Sequence, residues 1–303
     1  MESPPTGTDR GPVFAISSNK GGVGKTTLAT NLAIYVRALR EDLPVLVVGL
    51  DDQHTIDRMF ALREAQTGEG NLKHGWAERS FQSVIRLGEY GVHYVPSPPD
   101  LAVLKARASD LETLDRILER TDWPGLVVLD TKSDLEALTQ NAYHAADRIL
   151  VPVSDWASLE EAAKVFRILE RGGIPAGRAR IVFTLVDRRT KVDGAQTHLF
   201  RRLVEETRWR GWDYYKTYIS RSPRVETLNS GTKRPLSILH HARGTAVHAQ
   251  MHDLTLEVLE DLGISDRLVL RSAEEPDELW GAASREAVEP AARGSWALNL
   301  IRR

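Results

Sequence analysis

The chain has no cysteine, which agrees with a reducing, cytoplasmic setting and excludes a cluster held by cysteine thiolates. Nor does any apolar run approach the roughly 18 residues that a membrane-spanning helix needs. The N-terminal Met1-Glu2-Ser3-Pro4-Pro5-Thr6-Gly7 lacks the basic-then-apolar pattern of an export signal and reads as a short disordered lead. There is no internal repeat, and the dozen or so residues before the first strand-like run are too few for a separate N-terminal DNA-reading domain. What is left is a chain of 303 residues with 42% hydrophobic content, enough for one large α/β domain with additions or for two small domains.

Charge is balanced overall and uneven locally. The net charge is −2, yet residues 178 to 243 carry 15 Lys and Arg against 6 Asp and Glu. A basic third on an acidic body fits an anionic partner at one surface, and it equally fits the solvated face of a few helices.

Short apolar runs recur: Val13 to Ile16, Val45 to Val48, His93 to Val95, Leu126 to Leu129, Ile149 to Val153, Ile181 to Phe183 and Tyr215 to Ile219. Continuous β-rich runs of this kind mark strands buried on both faces. Helical spacing separates them, as at Leu111, Leu114, Ile117 and Leu118, or at Leu159, Ala162, Ala163, Phe166 and Leu169. The expected fold class is α/β, a mainly parallel twisted sheet with helices on both faces. Ligands in such sheets bind at the carboxyl ends of strands, so the residues that follow each run are the candidates.

The run after the first strand is the most informative: Lys20-Gly21-Gly22-Val23-Gly24-Lys25-Thr26-Thr27, leading into a helix-like stretch. Glycines let the backbone curl so that N–H groups converge on an anion, and the following helix adds its positive end. The chemistry is that of a P-loop: Lys25 for the β/γ-phosphates, the Thr26 hydroxyl for Mg²⁺, and Thr27 for a more distal phosphate. The ordinary pattern wants glycine five residues before Gly24. Asn19 stands there instead, and a second lysine, Lys20, follows it.

This deviant Walker-A loop resembles that of the ParA/MinD family of ATPases. The resemblance implies that Lys20 crosses a dimer interface to the nucleotide held by the other subunit. The loop shared with nitrogenase-iron-protein relatives does not bring this chain into their branch, since those proteins need cysteine ligands. After the second run, Gly49-Leu50-Asp51-Asp52-Gln53 is similar to the family's Asp-x-Asp-Pro-Gln, with Asp51 on its second Asp. Gly49 replaces the first Asp and Asp52 the Pro. A carboxylate there can orient an attacking water and respond to the γ-phosphate. Asp130, after Leu126 to Leu129, has the Walker-B position, an apolar strand delivering a carboxylate to the Mg²⁺ shell through water. Where the family has Pro-Pro or Pro-Gly next, this chain has Thr131-Lys132-Ser133-Asp134, and Lys132 reads as a solvated side chain.

The resemblance runs from about residue 12 to 263. It includes Asn141-Ala142, Ala146 to Val153, Thr184 to Lys191, Ile219 to Val225, Gly231 to Pro235 and Ala242-Arg243-Gly244. The Asp-Arg-Arg-Thr and Arg-Ser-x-Arg segments are ParA-like rather than MinD-like. By this resemblance adenine contacts come from Thr184 and from Ser222-Pro223-Arg224, with Ser220 where the family prefers Pro. It also implies a dimer face holding DNA non-specifically through Arg188, Arg189, Lys191, Arg221 and Arg224.

The implied protein is a ParA-type ATPase using ATP and Mg²⁺, a homodimer in the ATP state, cytoplasmic and nucleoid-associated. Lys20, Lys25 and Asp51 form its catalytic set. Its hydrolysis is slow until a ParB-like or cargo-adaptor protein stimulates it, and its cargo is a plasmid, a chromosome or a protein assembly. The competing reading is a MinD-like membrane positioner, resting on Trp296 to Arg303, whose eight residues make a weak anchor. The sequence argues against a membrane partner. A metabolic ligase or reductase is disfavoured because no second substrate constellation is visible. The expected layout is a lead over residues 1–11, an ATPase domain over 12–265 and an appended tail over 266–303.

Overall fold

Burial on both faces is what the apolar runs encounter in the computed structural model, which describes residues 10–63, 69–187, 199–230 and 234–264. Seven strands among these residues form one sheet: β1 (Val13–Ile16), β2 (Val45–Leu50), β3 (Arg86–Leu87), β4 (His93–Val95), β5 (Leu126–Thr131), β6 (Arg148–Val153) and β7 (Ala179–Phe183). Their order is β3-β4-β2-β5-β1-β6-β7. The pairings are parallel except that of the two-residue edge strand β3 with β4. β1 lies between β5 and β6, so its carboxyl end is flanked by those of both neighbours.

The helices in chain order are α1 (Lys25–Leu39), α2 (Thr55–Phe60), α3 (Leu72–Glu78), α4 (Ala102–Arg107), α5 (Thr113–Thr121), α6 (Ala137–Ala145), α7 (Trp156–Arg171), α8 (Leu199–Trp209), α9 (Pro223–Ser230), α10 (Ile238–His241) and α11 (Ala246–Asp261). The two-residue period of a strand sends alternate side chains to opposite faces. Val13 and Ala15 join a core with residues of α5, α6 and α7, whereas Phe14 and Ile16 join a second core with residues of α1, α10 and α11. The helical spacings hold: Leu114, Ile117 and Leu118 of α5 are buried, as are Leu159, Ala162, Phe166 and Leu169 of α7.

Two expectations change. Tyr215 to Ile219 is not a strand. Tyr215 N–H donates to Ile181 O and Ile219 N–H to Phe183 O, but between them the Glu257 carboxylate of α11 takes the amides of Lys216 and Thr217 at 2.8 and 2.9 Å. A side chain from another element has interrupted the ladder. Asp130 lies on β5 as expected, one residue before its end. The lead ends earlier than residue 11, because the Arg10 guanidinium is held by Asp115, Asp147 and Ala145 O. The tail, including Trp296 to Arg303, lies outside the described residues. Among those described, no helix is long and apolar enough to cross a membrane.

Candidate functional site

The loop between β1 and α1 turns on two glycines with positive φ, Gly22 at 76° and Gly24 at 93°. A side chain at either position would be strained, which explains the residue type there. Gly21 and Gly22 are exposed and Val23 is buried, so the outer part of the loop faces out while Val23 anchors it. The anchor has a partner: the Thr184 hydroxyl, just past β7, donates to Val23 O at 2.9 Å. The resemblance makes Thr184 an adenine contact, but here its hydroxyl proton supports the phosphate loop from below. The next residue, Leu185, has φ 52°, an uncommon conformation for a branched side chain and a sign of local strain.

Lys25 opens α1 and turns inward. Its Nζ donates to Lys20 O at 3.1 Å and to Ser133 Oγ at 2.5 Å. Burial lowers its pKa, and the charges of Asp130, Asp51 and Asp134 oppose that shift. One ammonium thus faces carboxylates delivered by two strand ends, β2 and β5. Asp130 is buried, and burial raises its pKa to about 7, against a hydrogen bond from the Thr26 hydroxyl and the charge of Lys25, with Asp51 adding to the rise. Its Oδ1 is buried without a hydrogen-bond partner. An orphaned carboxylate oxygen beside a threonine hydroxyl fits Mg²⁺ met by the hydroxyl directly and by the carboxylate through a water of its shell. Among the described residues no cluster of three or more His, Cys, Asp and Glu suits a metal by itself.

Thr27 is held by residues the motif does not reveal. Asn31, one turn on, donates to Thr27 O at 2.9 Å while its Oδ1 accepts from Ile238 N–H. Asn229 of α9 donates to Thr27 Oγ1 at 3.0 Å. That bond brings α9, with Pro223 and Arg224 in its first turn and Ser222 just before it, next to the phosphate loop. Ser220 replaces the family's Pro, and its backbone N–H and hydroxyl are both matched by the amide of Gln250 at 2.8 Å.

Asp51, Asp52 and Gln53 form a turn beyond β2, in which Gln53 N–H donates to Asp51 Oδ1. Burial and a hydrogen bond with Asp52 raise the pKa of Asp51. Asp52 is held down to about 2, chiefly by Lys132, whose Nζ is 2.8 Å from its Oδ2. Lys132 is therefore paired rather than solvated. The missing first Asp also has a physical reason, since a Cβ at Gly49 would lie 2.9 Å from Ile56 Cγ1 of α2.

Lys20 is half-buried, and its Nζ pairs with Asp155 Oδ2 at 2.5 Å. Asp155 is the N-cap of α7 and also accepts from Ser158 N–H. Of the five DNA candidates, Arg221 and Arg224 are exposed. Arg221 pairs with Glu226, and Arg224 donates to His241 O. Arg188, Arg189 and Lys191 lie outside the described residues. Among the described residues of the basic third, Arg180 pairs with Asp261, Arg201 with Glu205, and Arg210 with Glu160 and Glu206.

Residues 11–170 match a family described as an AAA domain. The chromosome-partitioning ATPase Soj of Thermus thermophilus is 33% identical over 233 residues, 76% of this chain and 88% of that protein. The maintenance of carboxysome distribution protein A of Gloeobacter kilaueensis is 30% identical over 188 residues, 60% of this chain and 82% of that protein. Cobyrinic acid a,c-diamide synthase from Mycobacterium smegmatis, solved with a bound ATP analog and magnesium, superposes with a TM-score of 0.63 over 82% of this chain and 94% of its own, at 20% identity, a likeness of fold. The family match, the Soj relationship and the two-lysine loop in its strand-loop-helix setting assign the chain to the ParA/MinD family of P-loop ATPases.

Proposed function

We propose that this protein is a ParA-type switch: an ATPase that dimerises on ATP and Mg²⁺, binds DNA without sequence preference as the dimer, and positions a cargo. The observation that carries the reading is the buried Lys25 ammonium, bonded to Lys20 O and Ser133 Oγ within the charge field of Asp51 and Asp130, with a second lysine, Lys20, in the same loop. A nucleotide polyphosphate is the ligand that this charge pattern fits.

In this reading the loop amides of Gly21 to Thr27, with Lys25, hold the phosphates. Thr26 would hold Mg²⁺ together with Asp130 and Asp51, the carboxylates through water. When bound, Mg²⁺ supplies neutralisation of charge on the phosphate oxygens. Asp51 orients the attacking water, and Lys20 reaches the partner subunit's nucleotide. Catalysis of this kind is positioning and electrostatics, with no covalent step for the protein. Ser222, Pro223 and Arg224 border the base. Arg188, Arg189, Lys191, Arg221 and Arg224 contact phosphates of DNA. A ParB-like or cargo-adaptor protein accelerates hydrolysis, in the cytoplasm at the nucleoid. The relatives' names support both a chromosome and a protein assembly as cargo classes.

ATP hydrolysis measured together with molecular mass in ATP and in ADP tests the core of this proposal. Slow hydrolysis with a dimer in ATP alone supports it, and a monomer in both nucleotides contradicts it.

A further inference from the structure

Two positions where the chain departs from the family motif meet each other. Asp52 stands for a proline after β2 and Lys132 for the second residue of the Pro-Pro or Pro-Gly pair that follows Asp130, and they are joined by the 2.8 Å bond from Nζ to Oδ2. The side chains of Lys132 and Asp52 are 32% and 40% exposed, so the pair adds little to global stability. Its place is more telling than its strength.

The segment that carries Lys132 is fixed on either side. The Thr131 hydroxyl donates to Ile16 O of β1 at 3.0 Å, and Ser133 Oγ meets Lys25 Nζ. Asp134 accepts from the Thr139 hydroxyl of α6. Lys132 thus projects from a braced backbone. The turn carrying Asp51 has no proline stiffness. Its internal bonds are long, Gln53 N–H to Asp51 Oδ1 at 3.2 Å and Gln53 Nε2 to Asp52 Oδ1 at 3.3 Å, and it ends in His54 at φ 52°. A charged tie from the braced segment reaches this turn, which Arg58 of α2 also touches through Gln53 O at 3.4 Å.

We infer that Lys132 is a positioning residue, and that the Lys132–Asp52 ion pair clamps the turn after β2 so that Asp51 is held in place for hydrolysis. The pair does for this chain what a proline in the turn does by fixing φ. Lys132 acts through Asp52 and the backbone rather than by contact with phosphate. The inference rests on the ATPase reading and deepens it.

The test compares the full chain with Lys132→Met, Lys132→Arg, Asp52→Asn and the Lys132→Met/Asp52→Asn double variant, measuring ATP affinity, kcat, KM and hydrogen exchange of residues 50–54. Lys132→Met and Asp52→Asn are each expected to lower kcat on the order of tenfold, the cost of a misplaced catalytic group. ATP affinity stays within about twofold, as for an interaction needed only for the chemical step. The double variant is no worse than either single, because both remove one interaction. Lys132→Arg restores most of kcat, and exchange in 50–54 speeds up in the neutral variants alone. Unchanged exchange in Lys132→Met overturns the clamp whether or not hydrolysis is detected. Loss of ATP affinity with kcat unchanged also overturns it, by making Lys132 a nucleotide ligand. A wild type that hydrolyses no ATP overturns the ATPase reading instead, a distinguishable failure because the exchange measurement does not need turnover.

Discussion

Lys20 Nζ lies 2.5 Å from Asp155 Oδ2, so the second lysine of the phosphate loop is tied within its own subunit to the N-cap of α7. Burial pushes the Asp155 carboxyl up, and Lys20 with the Ser158 amide pulls it below the usual range. A lysine that must reach another subunit first has to exchange this partner. The pair is partly exposed and worth about 0–1 kcal/mol, so Lys20→Ala should fold normally.

The two loop lysines should therefore fail differently. Lys25→Ala removes a buried ammonium that faces Asp51 and Asp130, and should weaken ATP binding by about 2–5 kcal/mol. Lys20→Ala should keep monomer ATP affinity and lose the ATP-dependent dimer. Fluorescent-nucleotide titration and sedimentation of both variants separate the roles. A Lys20→Ala protein that still dimerises and hydrolyses ATP contradicts the interface-crossing role.

Asp51→Ala should trap an ATP-bound dimer. The change leaves the loop, Thr26 and Asp130 in place while removing the carboxylate to which the proposal gives the attacking water. A stable dimer with turnover reduced on the order of 100-fold or more is expected, the usual scale for a positioned acid or base. Unchanged hydrolysis moves the role to another group.

The candidate residues of this site are legible in the sequence only where their chemistry is local. The loop, Asp51 and Asp130 are legible because their chemistry sits in one short stretch each, flanked by apolar runs that become β1, β2 and β5. Asp155, Ser133, Asn229 and Gln250 could not be read, because each meets its partner across 30 or more residues of chain. Tyr215 to Ile219 misleads for the same reason. Its apolar pattern is that of a strand, and the carboxylate of Glu257 that breaks the ladder comes from α11, 40 residues on. The departure at Gly49 has a cause only the fold supplies, the side chain of Ile56 pressed against it.

Gln250 should be a stabilising residue despite its distance from the motif. Both halves of its amide serve Ser220, whose N–H would be absent in a proline. Gln250→Ala leaves two polar groups unmatched and should cost about 1–3 kcal/mol. Chemical denaturation measures this, and a loss below about 0.5 kcal/mol shows that water replaces the amide fully.

Acid should destabilise the protein through His93. Burial, with a smaller contribution from Arg37, lowers its pKa from 6.5 to about 4. A histidine whose folded pKa is depressed binds its proton more readily in the unfolded chain. Its contribution is therefore complete above pH 6.5, declines as pH falls towards about 4, and is constant below that. The slope approaches about 1.4 kcal/mol per pH unit inside the window. Between pH 6.5 and about 4 the wild type should lose stability relative to His93→Phe as the pH falls, and melting curves of the two proteins measure that change. Parallel curves assign the acid sensitivity to other groups.

The most direct test of the switch is binding to unrelated DNA duplexes with ATP, with ADP and without nucleotide, across a salt series. Dimerisation doubles the array of Arg188, Arg189, Lys191, Arg221 and Arg224, and each neutralised phosphate adds about 0.9 to the slope of log affinity against log salt. Binding in ATP alone, indifferent to sequence, lost at moderate salt and weakened by charge reversal at Arg221, is the expected result. Equal binding in all three nucleotide states, or none in any, contradicts a nucleotide-controlled DNA switch.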